Sequence, residues 1–463
     1  MAIIPALLAL FGFLALGLPL SRFQIGPVPI YFVDLVAASL LLLGFRYLKQ
    51  SLSRRKKVSL IVGLIWVSLL PTFVGELFRM SLLESIYTFL RTTLHLSAIW
   101  TLSGLFSRQR YLQSFLIGAT FGALLTSTIA VTNSLPVTGP WVRANVFTID
   151  TLKPVSERFV TILEKSESSL VVEAQRGNSL VGKSNVTGGL LATFLPFILG
   201  AASYFRGRLS LRLLRQATII LTLFALLFTY SRTTYLALFG LALVYLMMNP
   251  KFLGRRAVAP MLGVTLTIAI FGFQSDEFKF DYLIEKFDLT SQLYAYTNNA
   301  RWLSYSRPIE AIQSDPAFLF RGAGVTSFKL RSDDPDASML HHTEGETHSV
   351  FGASIFYRGL FATVLIFYFL FYLAAANYRA IRLTSRGSLY ERDWMLLASM
   401  GCLVALMPFW AFTHFLIDKM NGHMHLFVLG ALILTGIETR YQSTNRKSFE
   451  RSGRHRFELQ HGA

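Results

Sequence analysis

The chain has 463 residues, of which 53% are apolar and only 15% are charged, with a mean hydropathy of +0.48. A soluble domain carries roughly 25% charged residues, so the composition excludes an ordinary soluble protein, and equally a disordered, collagen-like or disulfide-stapled chain. The lone cysteine, Cys402, permits no internal disulfide and lies in an apolar run, where a thiol packs as a small hydrophobe. On a soluble protein the net charge of +18 would point to nucleic acid. In a membrane protein the placement of the basic residues matters more than their total.

A helix needs about 20 apolar residues to cross the hydrocarbon core. Twelve stretches qualify: 2–20, 27–48, 58–78, 86–106, 111–133, 186–205, 214–231, 233–248, 257–273, 348–378, 394–418 and 422–437. The first has no Lys or Arg before its apolar run, so it reads as a retained anchor rather than a cleaved signal peptide. The seventh and eighth are broken only at Tyr230-Ser231-Arg232-Thr233-Thr234. With the N-terminus placed in the cytoplasm, every inside connection is basic: 49–57, 107–110, 206–215, 249–256, 379–393 and the tail from 438. The short outside connections hold only Arg22, Arg79, Arg232 and Lys419. This asymmetry predicts that both termini are cytoplasmic. It explains the net charge as topology signals near anionic lipid and makes a nucleic-acid role unnecessary. The expected fold is therefore an all-α polytopic membrane protein with about twelve transmembrane helices. Residues 1–437 form one integral-membrane domain, with long external loops at 134–185 and 274–347, the second between spans nine and ten, and residues 438–463 form a basic cytoplasmic tail. Chemistry is expected on the loops, which carry function on a rigid scaffold.

Gly177-Asn178-Ser179-Leu180-Val181-Gly182-Lys183-Ser184 matches the phosphate-loop pattern GxxxxGK[ST]. That pattern cradles a nucleotide only between a buried parallel strand and a soluble helix. Here a membrane span follows, on the side away from cytoplasmic ATP, and an NTPase is not expected. Lys183 and Asn185 still stand at that span's N-terminus, where backbone N–H groups favour an anion.

Ionisable groups inside spans are costly and face a cavity or a partner. Asp34, Glu76, Arg91, His95, Arg232, Arg358, His414 and Asp418 are of this kind, and most fall in the outer half of their spans. Arg91 and His95, four apart, share a helix face. The set reads either as a polar pocket opening outward or as buried ion pairs, such as Glu76 with Arg91, that hold the bundle together. His341, His342, Glu344, Glu346 and His348 fit no zinc spacing, and no metal site is expected. His348 stands where the loop meets an apolar helix, so its imidazole can be partly desolvated and accept a proton near neutral pH.

Asn299-Ala300-Arg301-Trp302-Leu303-Ser304-Tyr305 opens an amphipathic helix that runs through Ile309, Ala311 and Ile312 to Asp315-Pro316 and Arg321-Gly322-Ala323-Gly324-Val325. A polar stretch follows, then His348-Ser349, with Gly359 eleven residues after the histidine. This order resembles the O-antigen ligase and O-antigen polymerase superfamily: an Arg, a short helix, a Pro, a Gly-x-Gly turn, a polar loop, a His-Asn pair and a late Gly. The Ser231-Arg232 break, the Gly182-Lys183-Ser184-Asn185 entry to a span and the large external loop also look like that family. Two departures are Ser349 in place of Asn, and Tyr357-Arg358 where the family often has Glu before the late Gly.

The resemblance implies a glycosyltransferase of the bacterial inner membrane. It would move a glycan from a polyprenyl (undecaprenyl) diphosphate carrier to an acceptor hydroxyl on a glycan or lipid A-core, with inversion and with neither metal nor cofactor. Membrane lipid and these two substrates are the implied partners. Arg stays charged and binds a diphosphate bidentately, which suits the leaving group. Arg232 and Arg301 are the candidates for that role, with Arg307, Arg91, Lys183, Asn185 and Arg321 as further substrate-binding residues and His348 as the base. Residue types alone leave Arg301 open as an interfacial surface residue and Arg232 as a snorkelling or capping residue. A lipid-linked glycan flippase and a non-catalytic scaffold are the alternatives for the whole chain.

Overall fold

The structure is a computed structural model that describes residues 3–25, 28–77, 82–135, 137–147, 178–181, 184–205, 207, 209–248, 309, 312–322, 350–384, 393–412 and 425–440. Among these the protein is almost entirely helical. Helix α1 (Ile3–Gly17) leads into an antiparallel hairpin of β1 (Arg22–Ile25) and β2 (Val28–Tyr31), in which Arg22 pairs with Tyr31 and Ile25 with Val28. Then come α2 (Phe32–Leu43), α3 (Phe45–Arg54), α4 (Lys56–Leu77), α5 (Leu82–Phe106), α6 (Gln109–Ser134) and the short α7 (Gly139–Asn145). The second half holds α8 (Ser184–Gly200) with a 3₁₀ turn at Ala201–Phe205, α9 (Leu209–Phe228), α10 (Arg232–Met248), the single turn α11 (Phe318–Arg321), α12 (Val350–Arg382), α13 (Trp394–Phe412) and α14 (425–440).

Among the described residues five stretches are long and apolar enough to cross a membrane: Lys56–Val74, Gln109–Ser134, Ser184–Phe205, Leu209–Phe228 and Arg358–Arg382. Shorter apolar helices stand at Ile3–Gly17, Phe32–Leu43, Thr233–Met247 and Trp394–Phe409. Described helix overlaps each predicted span except 257–273, which lies outside the described residues, as does most of both predicted long loops. The second predicted span needs correction. Residues 28–31 form a strand, and the helix starts only at Phe32. The reason is Pro27 and Pro29, which lack the N–H a continuing helix requires.

Side chains such as Leu42, Leu60, Phe239 and Phe371 are exposed on the outside of the bundle, as lipid-facing residues are, while one apolar core runs from α1 through α14. Several hydroxyl side chains inside helices turn back onto their own backbone: Thr120 donates to the Leu116 carbonyl at 2.7 Å, Thr218 to Leu214 at 2.8 Å and Thr435 to Ala431 at 2.7 Å. Hydrocarbon offers no other partner.

Helices α1 and α6 pack backbone against backbone, and glycine makes it possible. A Cβ at Gly118 would fall on the Ala9 carbonyl, and one at Gly122 would lie 2.6 Å from the Phe13 oxygen. Gly118 and Gly122 form a small-xxx-small face that lets the two backbones touch. Gly118→Val is expected to lower stability by about 1–3 kcal/mol, the usual range for overpacking, read as thermal unfolding in detergent. Gly63→Ala, where nothing lies within 4 Å of the added methyl, is expected to leave the midpoint unchanged or raise it.

Candidate functional site

The helix directions gather the candidate residues at one end of the bundle. Helices α8 and α10 run parallel: Gly188 meets Thr234 near their starts, and the Tyr245 hydroxyl of α10 donates to the Pro196 carbonyl of α8 at 3.5 Å. Helix α13 runs the other way, because Trp394 at its start packs on Gly200 and on the Tyr204 ring at the far end of α8. Near the end of α12, Asn377 donates to the Leu396 carbonyl at 3.1 Å, so α12 is antiparallel to α13 and parallel to α8 and α10. The starts of α8, α10 and α12 therefore share one end. The end of α4 joins them, since the Thr72 hydroxyl reaches the Arg358 carbonyl at 3.5 Å. The opposite end is tied by the Arg55–Glu438 ion pair, in which Arg55 also reaches Ser51 and Ser103, and by Arg440 with Asp393 at 3.6 Å.

At the shared end, Asp34 in the first turn of α2 holds two residues of α5. Its Oδ2 accepts from Arg91 Nε at 2.5 Å, and its Oδ1 bonds His95 Nε2 at 2.8 Å. The Arg91 guanidinium lies 4.1 Å from the centre of the Tyr31 ring, and Arg22 donates to the Tyr31 hydroxyl at 3.2 Å. All three members are buried, at 6% exposure for Asp34, 7% for Arg91 and 1% for His95. The sequence offered Glu76 with Arg91 as an example of a buried ion pair; Asp34 is a partner of Arg91, and the Glu76 side chain lies outside the described residues. His425, at the start of α14, is also buried.

The second element is the break between α9 and α10. Tyr230 adopts φ +46°, a left-handed backbone that costs a non-glycine residue roughly 1–2 kcal/mol. The break is strapped by the Tyr235 hydroxyl, which donates to the Leu227 carbonyl at 2.7 Å, and by Thr229, which donates to Leu226 at 2.7 Å. Arg232 is the first residue of α10; its side chain lies outside the described residues. Beside it, α8 starts at Ser184, whose N–H is taken by Asn178 Oδ1 at 2.7 Å, and Ser179 bonds Thr187 at 3.1 Å. The amide that a phosphate loop would offer to a ligand is thus capped by a side chain. The sole sheet among the described residues is the antiparallel hairpin, and the residues before the nucleotide-loop pattern lie outside the described ones. Asn185 is half-buried in the first turn of α8, while Lys183 lies outside the described residues.

The third element is the turn 315–322. Asp315 accepts the Ala317 N–H at 3.0 Å and pairs with Arg321, and Gly322 closes the turn at φ +57°. The turn is seated on a kink in α12. Gly359 sits at φ +82°, and a Cβ there would lie 2.5 Å from the Leu319 oxygen. Arg358, just before the kink, is 1% exposed. His348, Arg301 and Arg307 lie outside the described residues. The sequence marked the Tyr230–Thr234 interruption of an apolar run but gave no role to Tyr230 or Thr234, and nothing in it marked Gly188.

Removing one member of a buried ion pair strands the other charge, at a cost of about 3–5 kcal/mol. Asp34→Ala is expected to destabilise the protein by about that amount. Adding Arg91→Met should recover most of the loss, because the stranded charge is then gone. Denaturation in detergent micelles checks both.

No curated protein matches the chain. A family model described as O-antigen ligase matches residues 217–367, a stretch that begins within α9, contains the Tyr230 break and Arg232, and runs past Gly359 into α12. Over these residues, about a third of the chain, the resemblance of the protein is to the O-antigen ligase and O-antigen polymerase superfamily.

Proposed function

We propose that the protein is a membrane glycosyltransferase of the O-antigen ligase or polymerase type, acting on a glycan carried by undecaprenyl diphosphate. The reading is supported by the family match over 217–367, taken with the gathering of the starts of α8, α10 and α12 at one end of the bundle. The reaction would take place on the outer face of the bacterial inner membrane, with both termini in the cytoplasm and residues 1–437 acting as one membrane domain. The acceptor is a glycan or lipid A-core hydroxyl.

The chemistry is a single displacement. The acceptor oxygen attacks the anomeric carbon while His348 takes the hydroxyl proton. The bond from that carbon to the diphosphate oxygen breaks, and the diphosphate leaves with the electron pair from the opposite face, so the configuration inverts. Arg232 and Arg301 stabilise the charge on the leaving diphosphate as it develops. Two neighbouring helix starts add positive dipole ends on the same side. Arg307, Lys183 and Asn185 stand behind them as binding residues. Arg91 and Arg321 are already engaged by Asp34 and Asp315, so either would meet substrate only by sharing its guanidinium.

His348→Ala, Arg301→Ala and Arg232→Ala should each remove glycan product from cells that still carry the protein in their membranes, read by glycan gels beside immunoblots of membrane fractions. Loss of a general base costs roughly 10²–10⁴-fold, so His348→Gln should be as inactive as His348→Ala. Near-normal product from His348→Gln would reduce that residue to hydrogen bonding. Excess EDTA should leave turnover unchanged.

A further inference from the structure

We propose that Gly188 and Thr234 are positioning residues that set where Arg232 meets the leaving diphosphate. The inference rests on the reading of Arg232 given above. Helices α8 and α10 start side by side, and their first turns are locked by shape. Thr234 lies two residues beyond Arg232 in the same turn of α10 and is fully buried. Its Oγ1 occupies the notch left by Gly188: a Cβ added there would fall on that oxygen. The Thr234 hydroxyl makes no hydrogen bond among the described residues, so its contribution at this contact is volume.

The rest of the break is already fixed. Tyr235 and Thr229 are bonded back onto the end of α9, Tyr230 holds its left-handed turn, and the first backbone bond of α10 runs from the Tyr235 N–H to the Ser231 oxygen at 3.1 Å. What remains is the sideways placement of the first turn of α10, and the contact between Gly188 and Thr234 sets it. A side chain at 188 would push that turn, with Arg232 on it, away from α8. Misplacing a reacting group by about 1 Å can cost roughly 100-fold.

The same contact supplies its own suppressor. In Gly188→Ala combined with Thr234→Ala the clashing oxygen is gone, and the new methyl would lie 3.4 Å from Thr234 Cβ and 3.4 Å from Thr229 Cγ2, ordinary van der Waals contact. The test measures release of undecaprenyl diphosphate by full-length protein in nanodiscs, with thermal unfolding run on each variant. Gly188→Ala should lower kcat by about 10- to 100-fold with a much smaller change in donor KM. Thr234→Ser, which keeps the oxygen, should stay close to the parent. The double variant should recover to within a few-fold of Thr234→Ala. In an Arg232→Lys background Gly188→Ala should cost far less, because the group it displaces is already impaired.

Full activity of Gly188→Ala would overturn the proposal, and so would equal losses in the parent and Arg232→Lys backgrounds. A double variant with the parent's thermal midpoint and no recovery of kcat would overturn it too. Absence of diphosphate release by the parent itself is a different failure. It would sink the glycosyltransferase reading and take the proposal with it.

Discussion

Hydrocarbon cannot donate or accept a hydrogen bond, and the rest of this structure answers to that fact. The carboxylate of Asp34 is the sharpest case. Isolated, it would be prohibitive at membrane depth; here each oxygen is taken, one by Arg91 and one by His95. The same demand shapes the neutral groups. Thr120, Thr218 and Thr435 return their hydroxyls to carbonyls one turn earlier, and Thr126 crosses from α6 to the Leu16 carbonyl of α1 at 2.5 Å. At the other end of the bundle Arg55 is buried only because Glu438, Ser51 and Ser103 surround it.

The constraint also governs where the backbone can depart from a helix. Irregular backbone at membrane depth survives only when protein covers it. Two described departures obey this: Thr229 at the break after α9 is packed against α8, and the kink at Gly359 is covered by the turn 315–322. In sequence a charged residue stands beside each, Arg232 after the first and the buried Arg358 before the second, and the family match spans both departures.

The helical spans were legible in the sequence because a long apolar run in a membrane has one stable conformation. The break at Ser231 was legible for the same reason, since a polar pentapeptide interrupts such a run. The hairpin at 22–31 was not: apolar content continues through it, and two prolines decide against helix. The pairing of Arg91 with Asp34 was not legible either, because the two lie 57 residues apart and only the approach of α2 to α5 brings them together. The Gly188 notch is a property of two surfaces, and one glycine among the chain's 32 carries no mark of what faces it. The roles given to His348, Arg301 and Arg307 come from motif order alone, since those residues lie outside the described ones.

Glycosyl transfer and flipping both begin with a lipid-linked glycan and differ in whether a bond breaks. The most direct measurement gives the purified protein, in sealed vesicles, an undecaprenyl-diphosphate-linked glycan together with a range of acceptor glycans and lipid A-core. Release of undecaprenyl diphosphate is followed at the same time as movement of the intact donor across the bilayer. A glycosyltransferase of this type releases the diphosphate only when an acceptor is present and forms one new glycosidic bond per diphosphate released. Translocation of intact donor, with no release under any acceptor, would contradict it.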